Sequence, residues 1–274
     1  MNKARLLTIV ALVFLTAFAL IEVFPYLWMA MGSLKSLKEI NRFPPTIFPS
    51  GFLWENYVQA WQSGPFLRYF LNSFVVTFSI LGIQLFLACM AAYAFSKIRF
   101  PGRDILFYLV IMCLIVPPQV RFVPLFIMFS KLNLINTYFP LVLPYATSAL
   151  GTFLIRQAFM DISDDIIASA KIDGASTFQI IFRIMAPMAK PTIVAFSLFS
   201  IVYHWNDYFW PLVMTTDETV RTLPLGVAML REQGTGARWH IIMAGNMFVL
   251  VPMLVVFAFV QRTIIRSFTM ATLK

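Results

Sequence analysis

The stretch "IIASAKIDGASTFQIIFRIMAPMAKP", residues 166–191, decides how this chain is read. It carries Lys, Asp, Gln and Arg around a central glycine, yet it lies between two of the most apolar runs in the sequence. Its local signals spell two short helices. Ser163 is a good N-cap, and Asp164 and Asp165 follow in the first turn, where the helix dipole favours negative charge. This first helix is predicted to run to about Ile172. Asp173-Gly174 then closes it, because glycine enters the left-handed conformation at no steric cost. Ser176 and Gln179 stand at capping-box spacing, so a second helix begins there and carries Phe178, Ile181, Phe182 and Met185 as far as Pro187. Ala168, Ser169 and Ala170, beside the turn, are small enough for another backbone to approach closely. Such a hairpin, projecting from a lipid-embedded body, has the shape of a knob for a socket on another protein.

Composition supplies that body. The 274 residues are 60% hydrophobic and 12% charged, with a mean hydropathy of +0.80, whereas soluble domains carry roughly a quarter charged residues. The expected fold class is an all-α integral membrane protein. Six segments approach the length of about 20 mostly apolar residues that a spanning helix needs: about 6–31, 69–95, 105–127, 138–158, 191–214 and 239–261. Lys3 and Arg5, with "AFA" at Ala17–Ala19, resemble a signal peptide, but the apolar run continues to Met31, which predicts an uncleaved spanning helix. The third segment is the least regular, because "VPPQVRFVP" sets three prolines and Arg121 in its outer half. The chain thus divides into a first helix (1–31), an outer loop (32–68) and a five-helix core (69–274) that holds an inner loop, 159–190. In the outer loop, Pro44, Pro45 and Pro49 precede an amphipathic piece starting near Leu53, whose Trp54, Tyr57 and Trp61 suit the headgroup level.

Six spans put both termini on one face. With the termini inside, twelve of the 21 lysines and arginines are cytoplasmic, and inner clusters such as "SKIRFPGR" abut their helices closely, which is what sets orientation. The net charge of +9 is then an orientation signal, not a nucleic-acid footprint. The expected location is a bacterial or archaeal cytoplasmic membrane, crossed many times.

Several chemistries are excluded. Cys89 and Cys113 lie in apolar runs, and His204 and His240 have no ligand company at metal spacing. No catalytic nucleophile-base set converges. No G-x-x-x-x-G-K-[ST] phosphate loop occurs, so no ATP is bound by this chain. An ion-driven carrier usually needs several partnered intramembrane carboxylates, and the spans offer only Glu22 and Asp207. Glu22 is expected to pair with a neighbouring helix. Asp207 sits in "YHWNDYFWP" beside Trp205, Asn206 and Tyr208, a mixture of hydrogen-bonding and aromatic groups suited either to sugar hydroxyls or to a polar seam between subunits. Gln119, in "IVPPQVR", either lines a translocation path or marks a proline kink; Arg121 attracts an anionic solute or anchors the outer interface.

The segment "ASAKIDGASTFQIIFRIMAPMAKP" resembles the signature loop of ABC-importer permeases, E-A-A, two residues, D-G-A, then L-P and a further P. Asp173, Gly174, Ala175, Pro187, Pro191 and Ala170 match that pattern; Ala168 stands where Glu is usual, Ser169 replaces the first alanine and Ala186 the Leu. "SLKS", "AAYAFSKIRFPGR", "NDYFWPL" and "QRTIIRSFT" resemble the carbohydrate-uptake group, specifically its second permease type, over nearly the whole chain. The resemblance implies a type I importer permease fold and transport of a carbohydrate or related polyol. It implies a sister permease as heterodimer partner, two copies of an ATPase that bind ATP and Mg, and an extracytoplasmic solute-binding protein. It makes Ala168–Ala175 the ATPase-docking knob, with Asp164 or Asp165 standing in for the missing Glu, and brings the tail 267–274 near the ATPase. The rival expectation from another class is a self-sufficient carrier or channel for small polar solutes.

Overall fold

The computed structural model describes residues 3–231 and 238–271. Among them all regular structure is helical. In chain order the helices of five or more residues are α1 (Lys3–Gly32), α2 (Glu55–Gln62), α3 (Phe66–Lys97), α4 (Arg103–Met112), α5 (Phe122–Lys131), α6 (Tyr138–Val142), α7 (Ala149–Met160), α8 (Asp164–Ile172), α9 (Thr177–Met188), α10 (Lys190–Trp205), α11 (Phe209–Met214), α12 (Leu223–Met229) and α13 (Trp239–Ala271). They form two units, Met1–Phe66 with Gly226–Val251, and Leu67–Leu225 with Pro252–Lys274.

In the first unit, α1 is apolar all round. Its residues 7–27 are all exposed, the signature of a helix made for lipid. Glu22 is exposed on it, and the expected pairing with a neighbouring helix is not made among the described residues. The loop after α1 is tied by polar contacts. Asn56 donates to the carbonyls of Ser33 and Lys35 at 2.8 and 2.9 Å. The buried Lys35 ammonium donates to the Thr46 carbonyl and lies 5.0 Å from the Trp28 ring. Glu55 starts α2 two residues later than expected, and Trp54 and Trp61 are exposed as interfacial side chains should be. Ala60, Ile241 and Ala244 form a small core with Tyr57 and Phe248.

In the second unit, α3 is the axis. Its 32 residues give about 48 Å at 1.5 Å per residue, more than the roughly 30 Å of a bilayer's hydrocarbon. Two apolar clusters lie along it. One collects Ala88, Ala92 and Tyr93 with Ile155, Phe159, Ile180, Met185 and Phe196. The other collects Val76 and Ile80 with Phe129, Leu141, Trp210 and Met214. The segments α6–α7 and α10–α11 each contribute to both clusters, so each runs lengthwise beside α3.

The single helix expected over 105–127 is not formed. Two ten-residue helices, α4 and α5, flank a break at residues 113–121. The cause is local: Pro117 precedes Pro118 and takes ψ 136°, the extended setting that a following proline imposes, and neither proline can donate a helix hydrogen bond. Still, Phe107 packs 5.6 Å from Phe95, while Phe129 packs with Val76 and Ile80. The broken pair therefore travels about 28 Å along α3, by helical rise.

Three helices, Leu7–Gly32, Phe66–Lys97 and Trp239–Gln261, are long and apolar enough to cross a membrane, and up to five spans result if each bent pair counts as one. The bent pairs are Tyr138–Tyr145 with Ala149–Met160 (42°) and Thr177–Met188 with Lys190–Trp205 (86°). A Cβ on Gly151 would stand 2.6 Å from Phe196 Cζ, so α7 and α10 meet at a position that admits no side chain.

Candidate coupling segment and polar seam

The hairpin is built as its residues dictate. Ser163 caps α8 by accepting from the Asp165 amide at 3.2 Å. At the other end Gly174 takes φ +80°, its amide donates to the Lys171 carbonyl at 3.1 Å, and the Ala175 amide donates to the Ala170 carbonyl at 2.9 Å. This pair of bonds is a complete Schellman closure. Ser176 and Gln179 form the reciprocal capping box that opens α9. The second helix does not stop at Pro187. It reaches Met188, because residues 180–185 are wound as a π-helix and Pro187 falls in the first turn of the α-helical segment that follows, where a missing N–H leaves no intrahelical bond unmade.

The exposed face differs in part from the expected knob. Asp165, Ala168, Ser169, Asp173 and Gly174 are exposed and Ala175 is half-buried. Ala170 is 8% exposed and packs inward with Ile167 against the α3 cluster, so it does not face outward. Ile172, 86% exposed, takes the apolar tip. It lies inside the expected knob Ala168–Ala175, but an isoleucine at a helix end is ordinarily core, so nothing local marks it as the tip. Asp164 does not project freely either. Its carboxylate accepts from Lys97 Nζ at 2.7 Å, and that bond and charge hold the carboxyl below the usual carboxylate range.

The cluster expected at 205–208 is not brought together as one site. Trp205 is buried against Phe70, 5.6 Å between rings. Asn206 is exposed and donates to the Val202 carbonyl at 2.8 Å. Tyr208 is exposed, and Asp207 caps α11 by accepting from the Trp210 amide at 3.2 Å. What forms is a seam one helical turn back. Gln84 Nε2 donates to the Tyr145 carbonyl at 2.8 Å and reaches His204 Nε2 at 3.3 Å, while Gln84 Oε1 accepts from Ser200 at 2.7 Å. With both amide protons used, the bond to His204 assigns the unprotonated imidazole nitrogen to Nε2. Asp207, His204, Tyr145 and Ser73 line a cavity of about 10 Å³, the room of a single water and far too small for a sugar ring. Gln84 was legible in principle as an amide in an apolar span; Ser200 and Tyr145 carry no such signal.

Gln119 and Arg121 are exposed in the turn between α4 and α5. Phe122, next in the chain, packs 5.5 Å from Phe209 and 6.3 Å from Trp210. The two irregular backbone sites, 113–121 and 206–208, are therefore neighbours, a relation that no local pattern encodes.

At the far end of α3 from Lys97, the loop 215–222 is pinned down. Asn72 donates to the carbonyls of Thr219 and Arg221 at 3.1 and 2.8 Å, accepts from the Tyr138 hydroxyl at 2.6 Å, and Ser73 accepts from the Leu223 amide at 2.8 Å. Asn136 accepts from the amides of Thr216 and Asp217 at 3.1 and 3.3 Å. The Thr219 hydroxyl and amide both donate to Asp217, which lowers its carboxyl from 3.8 to about 2. Of the tail expected near the ATPase, residues 272–274 lie outside the described residues.

Comparison with known proteins agrees with this architecture. The family model described as "Binding-protein-dependent transport system inner membrane component" matches residues 84–270. The sn-glycerol-3-phosphate transport system permease protein UgpE of Yersinia pestis bv. Antiqua (strain Antiqua) is 33% identical over 256 residues, 90% of this chain and 91% of that protein. The probable ABC transporter permease protein YurM of Bacillus subtilis (strain 168) is 32% identical over 264 residues, 96% and 87% of the two chains. In the fold, a chain from a bacterial ABC transporter involved in the import of the acidic polysaccharide alginate superposes with a TM-score of 0.83 at 22% identity, covering 96% of this chain and 98% of that one. A second structure, of the bacterial alginate ABC transporter in complex with a periplasmic protein bound to alginate pentasaccharide, gives a TM-score of 0.60 at 20% identity, over 94% and 93% of the chains.

Proposed function

Since this chain belongs to the family of binding-protein-dependent transport system inner membrane components, we propose that it is the permease subunit through which a separate ATPase drives import of a carbohydrate or related polyol. The observation that carries this reading is the α8–α9 hairpin. Its caps are complete at the outer end of α8 and the start of α9, and it exposes Ser169, Ile172 and Gly174 at a rigid tip rooted in the α3 cluster. A helix capped at both ends, with an exposed apolar tip, is suited to a partner's socket.

In this reading the segment 163–187 docks on a cytoplasmic ATPase dimer, which binds ATP and Mg, and a sister permease completes the path. An extracytoplasmic binding protein delivers the solute on the opposite face, where loop 215–222 is pinned. Both termini are cytoplasmic, and the inner membrane is crossed six times, with α4–α5 as a broken crossing. Irregular backbone at membrane depth is tolerated only against protein or a water-filled cavity. That rule supports a translocation path beside the neighbouring breaks at 113–121 and 206–208, where Gln119, Asn206 and Tyr208 are exposed. A polyol or sugar is favoured because the relatives named for a solute carry sn-glycerol-3-phosphate and the fold neighbour imports alginate.

The test is a cysteine at Ile172 in the assembled complex, challenged with a short bifunctional crosslinker. A crosslink to the ATPase is expected, together with labelling of that cysteine only from the cytoplasmic side. Labelling from outside, or crosslinking to lipid and sister permease alone, defeats the reading.

A further inference from the structure

The motif "AAYAFSKIRFPGR", residues 91–103, ends α3 on a lysine that behaves unlike an orientation signal. Lysines that only orient a helix keep their ammonium in water. The Lys97 side chain is 8% exposed. Its Nζ donates to the Ile162 carbonyl at 2.5 Å and to Asp164 Oδ1 at 2.7 Å. Ile162 lies just past α7 and Asp164 opens α8. The ammonium thus bridges the short link after α7 and the acidic first turn of α8.

Arg156 reaches the other way, from α7 to α3. Its Nε donates to the Phe95 carbonyl at 3.1 Å, and its guanidinium lies 4.0 Å from the Phe107 ring centroid. Two cations therefore join the last turn of α3 to the α7–α8 junction in opposite directions. By contrast, α8 itself buries only Ile167 and Ala170. Nine residues anchored by one isoleucine and one alanine are weakly held by packing, while hydrogen bonds to a charged donor are roughly twice as strong as neutral ones. Asp164 is 84% exposed and its share is screened by water; the shielded carbonyl contact carries more.

We propose that Lys97 is a positioning residue that clamps α8 to α3 and α7, so that force applied to α8 moves the membrane helices with it. This rests on α8 being the element that docks on the ATPase. Without the clamp, α8 swings on its two apolar contacts and the push is dissipated.

The experiment uses the whole complex in lipid and reads ATP hydrolysis with and without the purified binding protein. Lys97→Met is expected to lower that stimulation ratio at least about fivefold, the lower end for losing coupling between sites, and Lys97→Arg to restore most of it. If Lys97→Met fails to assemble, Asp164→Asn replaces it; that exposed change leaves packing intact and should lower the ratio by a smaller factor. The Ile172 crosslink separates the two ideas. A lowered ratio with the crosslink intact supports the clamp. An unchanged ratio, an arginine variant as defective as methionine, or a ratio that falls only with the crosslink overturns it while docking stands. If no Ile172 crosslink forms even with Lys97 present, docking and clamp fall together.

Discussion

Replacing Gly174 isolates one backbone conformation from everything else at the coupling tip. The residue sits at φ +80°, and a Cβ there would meet no atom within 4 Å. A substitution therefore costs backbone strain alone. An L-residue held in the left-handed region loses about 1–2 kcal/mol, and a β-branched one more, since its side chain crowds the carbonyls further. In equilibrium terms, about 1.4 kcal/mol is tenfold, so Gly174→Ala should raise the open population of the Schellman turn by roughly five- to thirtyfold. The bonds at stake run from the amides of Gly174 and Ala175 to Lys171 and Ala170. Hydrogen exchange of those two amides in the assembled complex reads the loss directly, and binding-protein-stimulated ATP hydrolysis reads its consequence. The expected order of damage is Val, then Ala, then Asn, because asparagine tolerates the left-handed region best of the three. Wild-type exchange in Gly174→Ala, or an Asn variant as damaged as Val, would refute the reasoning.

Other consequences follow from the seam, the helix crossing and the outer loop. Gln84→Leu strands the Ser200 hydroxyl and removes the donor to the Tyr145 carbonyl; the cost is about 1–3 kcal/mol, visible as a lowered Tm of the complex in detergent. Adding Ser200→Ala should return part of that loss, since fewer buried groups remain unpaired. Gly151→Ala drives a methyl against the Phe196 ring, and overpacking of this kind costs about 1–3 kcal/mol; a paired Phe196→Leu should recover stability in the same melt. Asp217 has a carboxyl lowered from 3.8 to about 2, first by the Thr219 hydroxyl. Its stabilising effect is complete above the ordinary value and drains away as pH falls toward 2. Proteolysis of loop 215–222 should accelerate only in that acid window, and Asp217→Asn should remove the pH dependence.

How much was legible follows the range of each interaction. Helix caps are written within four residues, so Ser163, Gly174 and the Ser176–Gln179 box could be assigned from spacing, and they stand where spacing put them. Apolar length likewise marked α1, α3 and α13 as spans. The break inside 105–127 was signalled by its prolines, but whether the two halves still run beside α3 depends on Phe107 meeting Phe95 and Phe129 meeting Val76. At 205–208, adjacency in sequence suggested a common site. A broken helix instead sends neighbouring side chains in different directions, Trp205 to Phe70 and Asp207 to its own helix start.

By itself, then, the order of residues determined that this chain is a helical bundle for lipid with a capped polar hairpin on one face. Those properties arise from hydropathy summed over a helix and from bonds closed within a turn. Only the tertiary structure decided that Ala170 turns inward, that Ile172 forms the tip, and that Lys97 grips residues some 65 positions away. Such outcomes rest on which helix faces which, and a buried ammonium or an exposed isoleucine looks like any other until its surroundings are packed around it.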